Sequence, residues 1–180
     1  MVTLGGSAMS KIKGNVVDPG PIIEKYGPDA IRTFILFASS PEKELEWNDD
    51  AVETIHKFLL KTVAITELPA GTGVKDKHLA SKSQQTIKRV SDAIENFELN
   101  TAIQCLMEFV SFIHQNKETF SEKAIKISIS ILCQIISPFA PHLAEECWEK
   151  LGKKTFVSLT KWPRFNPKLV KLEFDAIDSF

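Results

Sequence analysis

Two lysines flank an isoleucine at positions 11 to 13, Gly14-Asn15 follows, and Asp18-Pro19 comes three residues later. Glycine takes backbone angles closed to other residues. Asp before Pro reads as the cap and first position of a helix. A turn carrying two ammonium groups and leading into a helix N-terminus suits an anion, phosphate above all. A solvated surface loop also fits this spacing, and the loop by itself does not choose between the two. Other chemistry finds no complete set. His142, Glu145 and Glu146 lie together, but the second histidine of a zincin-type site is missing, so no metal ligands are assigned. His142, directly after Pro141, reads as a solvated or capping residue. Neither a Gly-x-Ser-x-Gly elbow nor a Walker loop occurs. Glu42, Glu44 and Glu46 read as an exposed acidic connector, and the chain holds no self-contained catalytic constellation.

The chain has 180 residues, enough for one domain of ordinary size or a smaller region attached to one. Its net charge of −1 gives no overall attraction to nucleic acid, so any such binding must come from local patches. No apolar run approaches the roughly 20 residues that span a bilayer, which argues against a membrane partner. The N-terminus lacks the charged-then-apolar pattern of a signal peptide. Cys105, Cys133 and Cys147 are odd in number and set in apolar helical surroundings. They read as reduced thiols in a cytosolic core, and the expected location is cytoplasmic.

The elements that must position the loop are short at first. Met1 to Leu4 with Gly5-Gly6-Ser7 reads as one arm of a hairpin whose partner elements are expected upstream of the chain. Pro19 to Tyr26 is a brief helix with Gly27 in the left-handed cap position. Pro28-Asp29 opens a second helix with Ile31, Phe34, Ile35 and Phe37 on its apolar stripe, and Arg32 close enough to share a face with the loop. Ser39-Ser40-Pro41 breaks the pattern. From Asn48 the spacing predicts helix almost throughout. Asp50 with Glu53 is a variant capping box ahead of a stripe through Val52, Ile55, Phe58, Leu59 and Val63. After a loop at Pro69 to Gly73, Asp76 to Phe97 turns Leu79, Ile87, Val90, Ala93, Ile94 and Phe97 inward, and Lys75, Lys77, Lys82, Lys88 and Arg89 outward. Asn100 to Phe120 has the cleanest stripe. Beyond Ser121, isoleucines 125, 127, 129 and 131 alternate as in a strand, but the apolar run is long enough to favour a buried helix ending at Pro138. Pro141 to Gly152 is the last helix.

The fold class is therefore mainly α, an antiparallel helix bundle preceded by the loop and short helices. Between Lys150 and Lys171 there are seven basic residues and no acidic one, with Phe156, Trp162 and Phe165 interleaved. Such a tail packs its aromatics back on the bundle, or offers its cations to an RNA backbone, and the two are compatible.

Met9 to Pro19 resembles the Lys-Met-Ser-Lys-Ser signature of class I aminoacyl-tRNA synthetases with its downstream residues. Ile22 to Arg32 is similar to the helix pair that follows it in the leucine, isoleucine and valine enzymes. Lys13-Gly14-Asn15 together with Phe37 to Trp47 is closest to leucyl-tRNA synthetases of bacterial type. Phe97 to Ile103, Ser137 to Glu146 and Trp162-Pro163 are similar to landmarks of that family's helical tRNA-binding domain and its exit. The sequence departs from the signature twice, with Ala8 at its first lysine and Ile12 at its final serine.

The resemblance implies a fragment, with the end of a catalytic domain at 1–46, a helical tRNA-binding bundle of anticodon-binding-domain type at 47–152 and a basic tail at 153–180. It implies a leucine–tRNA ligase, inactive as the isolated piece, whose catalytic residue here is Lys11. Met9, Ser10, Lys11, Gly14 and Asn15 would form the ATP loop. Arg32, Lys82, Lys88, Arg89, Lys153 and Lys154 would meet tRNA. ATP with Mg2+ and leucine would be engaged through a catalytic half absent from this chain, the fragment itself holding no cofactor stably. The partner would be leucine tRNA and the state monomeric. A non-catalytic tRNA-binding paralogue with a degraded signature, and a plain helical scaffold, are the alternatives.

Overall fold

Gly5 and Gly6 both sit at positive φ, 60° and 72°, and turn the first residues back on themselves. The computed structural model describes residues 2–38, 43–69 and 71–170. The break at Ser39-Ser40-Pro41, Glu42 and the tail beyond Val170 lie outside them. β1 (Val2–Leu4) pairs antiparallel with β2 (Ser7–Ala8), Leu4 opposite Ser7, and parallel with β3 (Leu45–Glu46), Val2 opposite Leu45. The sheet order is β2-β1-β3. The N-terminal arm thus finds both of its partners within the chain, contrary to the expectation that they lie upstream. Glu46 is also no free connector. Its carboxylate accepts the Thr3 hydroxyl and, at 3.2 Å, the Gly6 amide. Those two bonds hold its carboxyl below the usual glutamate range.

α1 (Pro19–Tyr26) begins where Asp18 accepts the Gly20 amide at 2.9 Å. Gly27 stops it at φ 81°, ψ 159°, an extended turn and not the left-handed helical cap, so that α2 (Pro28–Ala38) starts at once. Ala30, Thr33 and Phe34 point into the bundle. Ile35 lies about 100° further round the helix from Phe34 and is 45% exposed, so the expected stripe is narrower than its apolar residues.

α3 (Asp49–Ala64) is capped by Asn48, whose side chain accepts the Ala51 amide at 3.1 Å. Asn48 has the extended backbone a cap requires, whereas Asp50 is already helical, so the expected Asp50–Glu53 box does not form. Glu53 pairs with Lys57 at 2.7 Å. α4 (Asp76–Glu95), α5 (Leu99–Asn116), α6 (Glu122–Ile136) and α7 (Pro141–Lys150) follow. α4 packs on both α5 and α6, α2 on α3 and α5, and α6 on α7. Ser121 caps α6, accepting the Ala124 amide, and is itself held by Asp76 at the start of α4 through two bonds of 2.8 and 2.5 Å. Along α6, Ile125, Ile129, Leu132 and Ile136 recur at helical spacing and are buried, which settles the alternating isoleucines as helix.

One apolar cluster joins the six helices from α2 to α7 with β3, with Ile22 and Tyr26 of α1 against its edge. Phe34, Phe109, Phe120 and Phe139 are fully buried in it, each contributing about 1.5–3 kcal/mol of apolar burial. Phe97 is not part of that core. It stands at φ 57° and is 73% exposed, because α4 ends there. The Phe97 amide bonds the Ile94 carbonyl and the Glu98 amide the Ala93 carbonyl, the paired bonds of a Schellman stop.

Candidate functional site

The signature loop is built from beneath by one side chain. The Ser10 amide donates to Asn15 Oδ1 at 2.9 Å, and Asn15 Nδ2 donates to the Ala8 carbonyl at 3.1 Å. Met9 is tied to the sheet through its amide and the Val2 carbonyl, 3.1 Å apart. Between these fixed points Lys11–Lys13 form one 3-10 turn, closed by Gly14 at φ 68°, ψ 12°. Lys11 and Lys13 are exposed and make no ion pair among the described residues. Ile12 is 99% exposed and packs on nothing. Asn15 thus braces a short arch whose crown presents two ammonium groups to solvent.

Arg32 does not join that arch. Its Nε and Nη2 donate to the Pro138 carbonyl at 3.3 and 3.0 Å. One turn earlier on α2, Asp29 is buried, and its two oxygens accept His142 Nδ1 at 2.9 Å and the Leu143 amide at 2.8 Å. Thr33 adds a bond to the Phe139 carbonyl at 3.3 Å. Three residues of one α2 face therefore staple the loop-bearing segment to the α6–α7 corner, and Asp29 supplies the N-terminal cap that α7 lacks locally. Nothing in the local sequence around Asp29 or Pro138 pairs them, since 106 to 114 residues separate the partners.

The other expected RNA cations fall into two groups. On α4, Lys88 pairs within the helix with Asp92 at 2.6 Å, while towards α5 Arg89 pairs with Glu108 at 2.6 Å and Lys82 is half-buried with its ammonium 5.9 Å from the Phe112 ring. The Glu108 bond raises the Arg89 guanidinium further above its ordinary range. At the end of α7, Lys153 lies 5.2 Å over the Trp148 ring and Lys154 is exposed. The structure does not bring the six together on one surface.

Beyond Gly152 the chain folds back across the bundle. Glu145 accepts the Val157 and Ser158 amides at 2.8 and 3.2 Å, and against its partial burial these bonds keep its carboxyl below the usual range. Gln134 on α6 donates to Thr160 Oγ1 and the Lys161 carbonyl. Trp162 Nε1 donates to Ser91 at 2.8 Å, and the Asn166 amide to Gln84 at 2.7 Å, both on α4. Leu169 ends the run in a groove of about 370 Å³ between α4 and α6. Lys161, Arg164 and Lys168 point outward from this ribbon and make no ion pair among the described residues. They were visible in the sequence only as part of an acid-free stretch. No group of His, Cys, Asp or Glu side chains able to hold a metal ion occurs among the described residues.

Comparison with known proteins gives this arrangement a lineage. Residues 76–179 match the family of the anticodon-binding domain of tRNA ligase, and residues 2–48 match the class I tRNA synthetases (I, L, M and V). The leucine–tRNA ligase of Syntrophobacter fumaroxidans is 40% identical over 192 residues, covering 96% of this chain and 23% of its own length. That of Thermotoga maritima is 38% identical over 191 residues with the same coverage. Among solved structures, the LeuRS of Agrobacterium radiobacter K84, in a ternary complex with tRNA and LeuAMS, superposes with a TM-score of 0.85 at 26% identity. That match covers 94% of this chain and 24% of the other. The chain thus spans less than a quarter of the length of the relatives it matches. It belongs to the anticodon-binding-domain family of tRNA ligases, preceded by a segment of the class I tRNA synthetases.

Proposed function

We propose that the chain acts as the signature-loop and tRNA-docking part of a cytoplasmic leucine–tRNA ligase, within a longer protein. Residues 1–46 close the catalytic domain, 47–152 form the docking bundle and 153–180 the basic tail. The observation that carries this reading is the braced arch at residues 9–15, an exposed Lys11 without an ion pair among the described residues, joined through α1 and α2 to a bundle of the matching family. ATP, held with Mg2+ by the missing half, supplies the α-phosphate that the leucine carboxylate attacks as pyrophosphate leaves. Lys11 stabilises the negative charge that builds on the phosphate oxygens, and a fixed ammonium does so without reorganisation at the moment of reaction. Met9 and Ser10 anchor the arch to the sheet, while Gly14 and Asn15 set its return into α1. Of the RNA cations, Lys153 and Lys154 are assigned to leucine tRNA first, since Arg32, Lys88 and Arg89 already serve protein acceptors.

In the full-length protein, Lys11→Ala lowers leucine-dependent ATP–pyrophosphate exchange by about a hundred- to thousandfold, on the order of 3–4 kcal/mol. The affinity for leucine tRNA stays unchanged. Exchange at the unaltered rate sinks the Lys11 assignment. A second reading rests on Ala8 and Ile12, which remove one signature cation and one hydroxyl. It makes the protein a non-catalytic tRNA binder, and tRNA binding with no exchange in the unmutated full-length protein would select it.

A further inference from the structure

The ribbon that crosses α4 and α6 carries cations that make no ion pair among the described residues. From Ser91 to Gln84, α4 rises roughly 10 Å, and the ribbon covers that distance in the opposite direction between Trp162 and Asn166. From Thr160 to Asn166 the polar ties that fix it to α4 and α6 use backbone groups or uncharged side chains, namely Gln134, Thr160, Ser91, Gln84 and the Trp162 indole, and the one carboxylate earlier in the return, Glu145, bonds the Val157 and Ser158 amides. Its basic side chains are therefore left over by the packing and not consumed by it. Where the ribbon ends, the groove holding Leu169 is walled by Lys77 from α4 and Lys123 from α6. Its one carboxylate, Asp76, is already bonded twice by Ser121. Trp162 and Phe165, 39% and 38% exposed, stand between the cations. The contrast with the α4–α5 side is plain, where Arg89 holds the Glu108 carboxylate and Lys82 reaches over the Phe112 ring.

We propose that the RNA backbone is taken by this ribbon and groove mouth, through Lys161, Arg164, Lys168, Lys77 and Lys123, and not by the α4–α5 side of the bundle. The inference rests on the tRNA-docking reading above and specifies its surface. A rigid, acid-free row of cations attracts successive phosphates and releases their counterions. Partly exposed aromatic rings between the cations offer faces to unpaired bases. An acidic protein segment would meet the same cations but has no use for the ring faces.

The test is titration of the 180-residue chain with a fluorescently labelled leucine tRNA transcript across a series of salt concentrations. The combined variant Lys161→Ala, Arg164→Ala, Lys168→Ala is expected to bind about tenfold or more weakly at low salt, with a log–log salt slope flatter by about two to three. The matching loss of three charges elsewhere, Lys25→Ala, Lys43→Ala, Lys57→Ala, leaves that slope in place. All three ribbon positions are exposed, so helix content and melting temperature stay those of the parent, and the charge-keeping set Lys161→Arg, Arg164→Lys, Lys168→Arg restores binding. If the parent binds tRNA and the alanine set binds with unchanged slope, the surface is wrong while the tRNA reading stands. If the parent does not bind tRNA, both fall. If polyglutamate of equal charge displaces the tRNA as readily as unlabelled tRNA does, the surface is one for acidic protein and the RNA assignment is overturned.

Discussion

At the scale of single residues, Phe97 is the position where side chain and backbone disagree most. A Schellman stop needs its turning residue at positive φ, which glycine adopts freely and a residue with a Cβ resists by about 1–2 kcal/mol. Phe97 takes that conformation with most of its ring in solvent, so apolar burial returns little. Phe97→Gly is therefore expected to stabilise the chain by about 0.5–1 kcal/mol despite deleting an aromatic side chain, as read from urea denaturation midpoints. A loss of stability would mean that the ring's remaining contacts outweigh the strain. Asn15 shows the opposite economy. From beyond the arch, one amide side chain satisfies a donor and an acceptor on the strand that enters it, leaving the lysines in between without structural duty.

At the scale of elements, the small sheet depends on the ionisation of one carboxylate. The Thr3 hydroxyl and the Gly6 amide bond the ionised form of Glu46 and lower its pKa in the folded chain. A depressed carboxylate contributes stability that is present above its unfolded value, about 4.3, and is lost as pH falls through the lower folded value. Protection of the Thr3, Leu45 and Trp47 amides, measured relative to intrinsic exchange at each pH, is thus expected to fall on acidification below about pH 4.3. In Glu46→Gln that dependence disappears, and its persistence would place the sensitivity elsewhere. The sheet also marks where sequence reading stops. Helices α3 to α7 were legible because each carries its own 3.6-residue apolar stripe, which is local information. β3 has two residues and no periodicity, and its partner lies more than forty positions away. For the same reason the loop was legible in composition but its brace was not, and Arg32 looked available to RNA because its acceptor, the Pro138 carbonyl, belongs to a distant corner.

At the scale of the whole molecule, a net charge of −1 hides a local segregation, since the acid-free stretch 153–170 is laid on one side of the bundle. The same burial that unites the helices also protects the three thiols, all buried. The Cys147 thiol beside it and its own burial push Cys133 far up, and burial raises Cys105. The thiolate is the reactive form. Modification of Cys105 and Cys133 by a water-soluble disulfide reagent is accordingly expected only on global opening, with a rate that follows the unfolding equilibrium across a denaturant series, and Cys147, whose thiol the Cys133 hydrogen bond lowers, is shielded by burial alone. Rapid labelling in native buffer would show a local opening between α6 and α7. The staple made by Asp29, Arg32 and Thr33 has its own consequence, in the order of events during synthesis. Its partners on the α6–α7 corner emerge more than a hundred residues after it. Long loop closure delays such contacts, so the arch-bearing segment is made well before the α6–α7 corner and gains its final anchorage only when α7 has been made. The α2 face that carries Asp29, Arg32 and Thr33 is thus locked only after the helices that follow it.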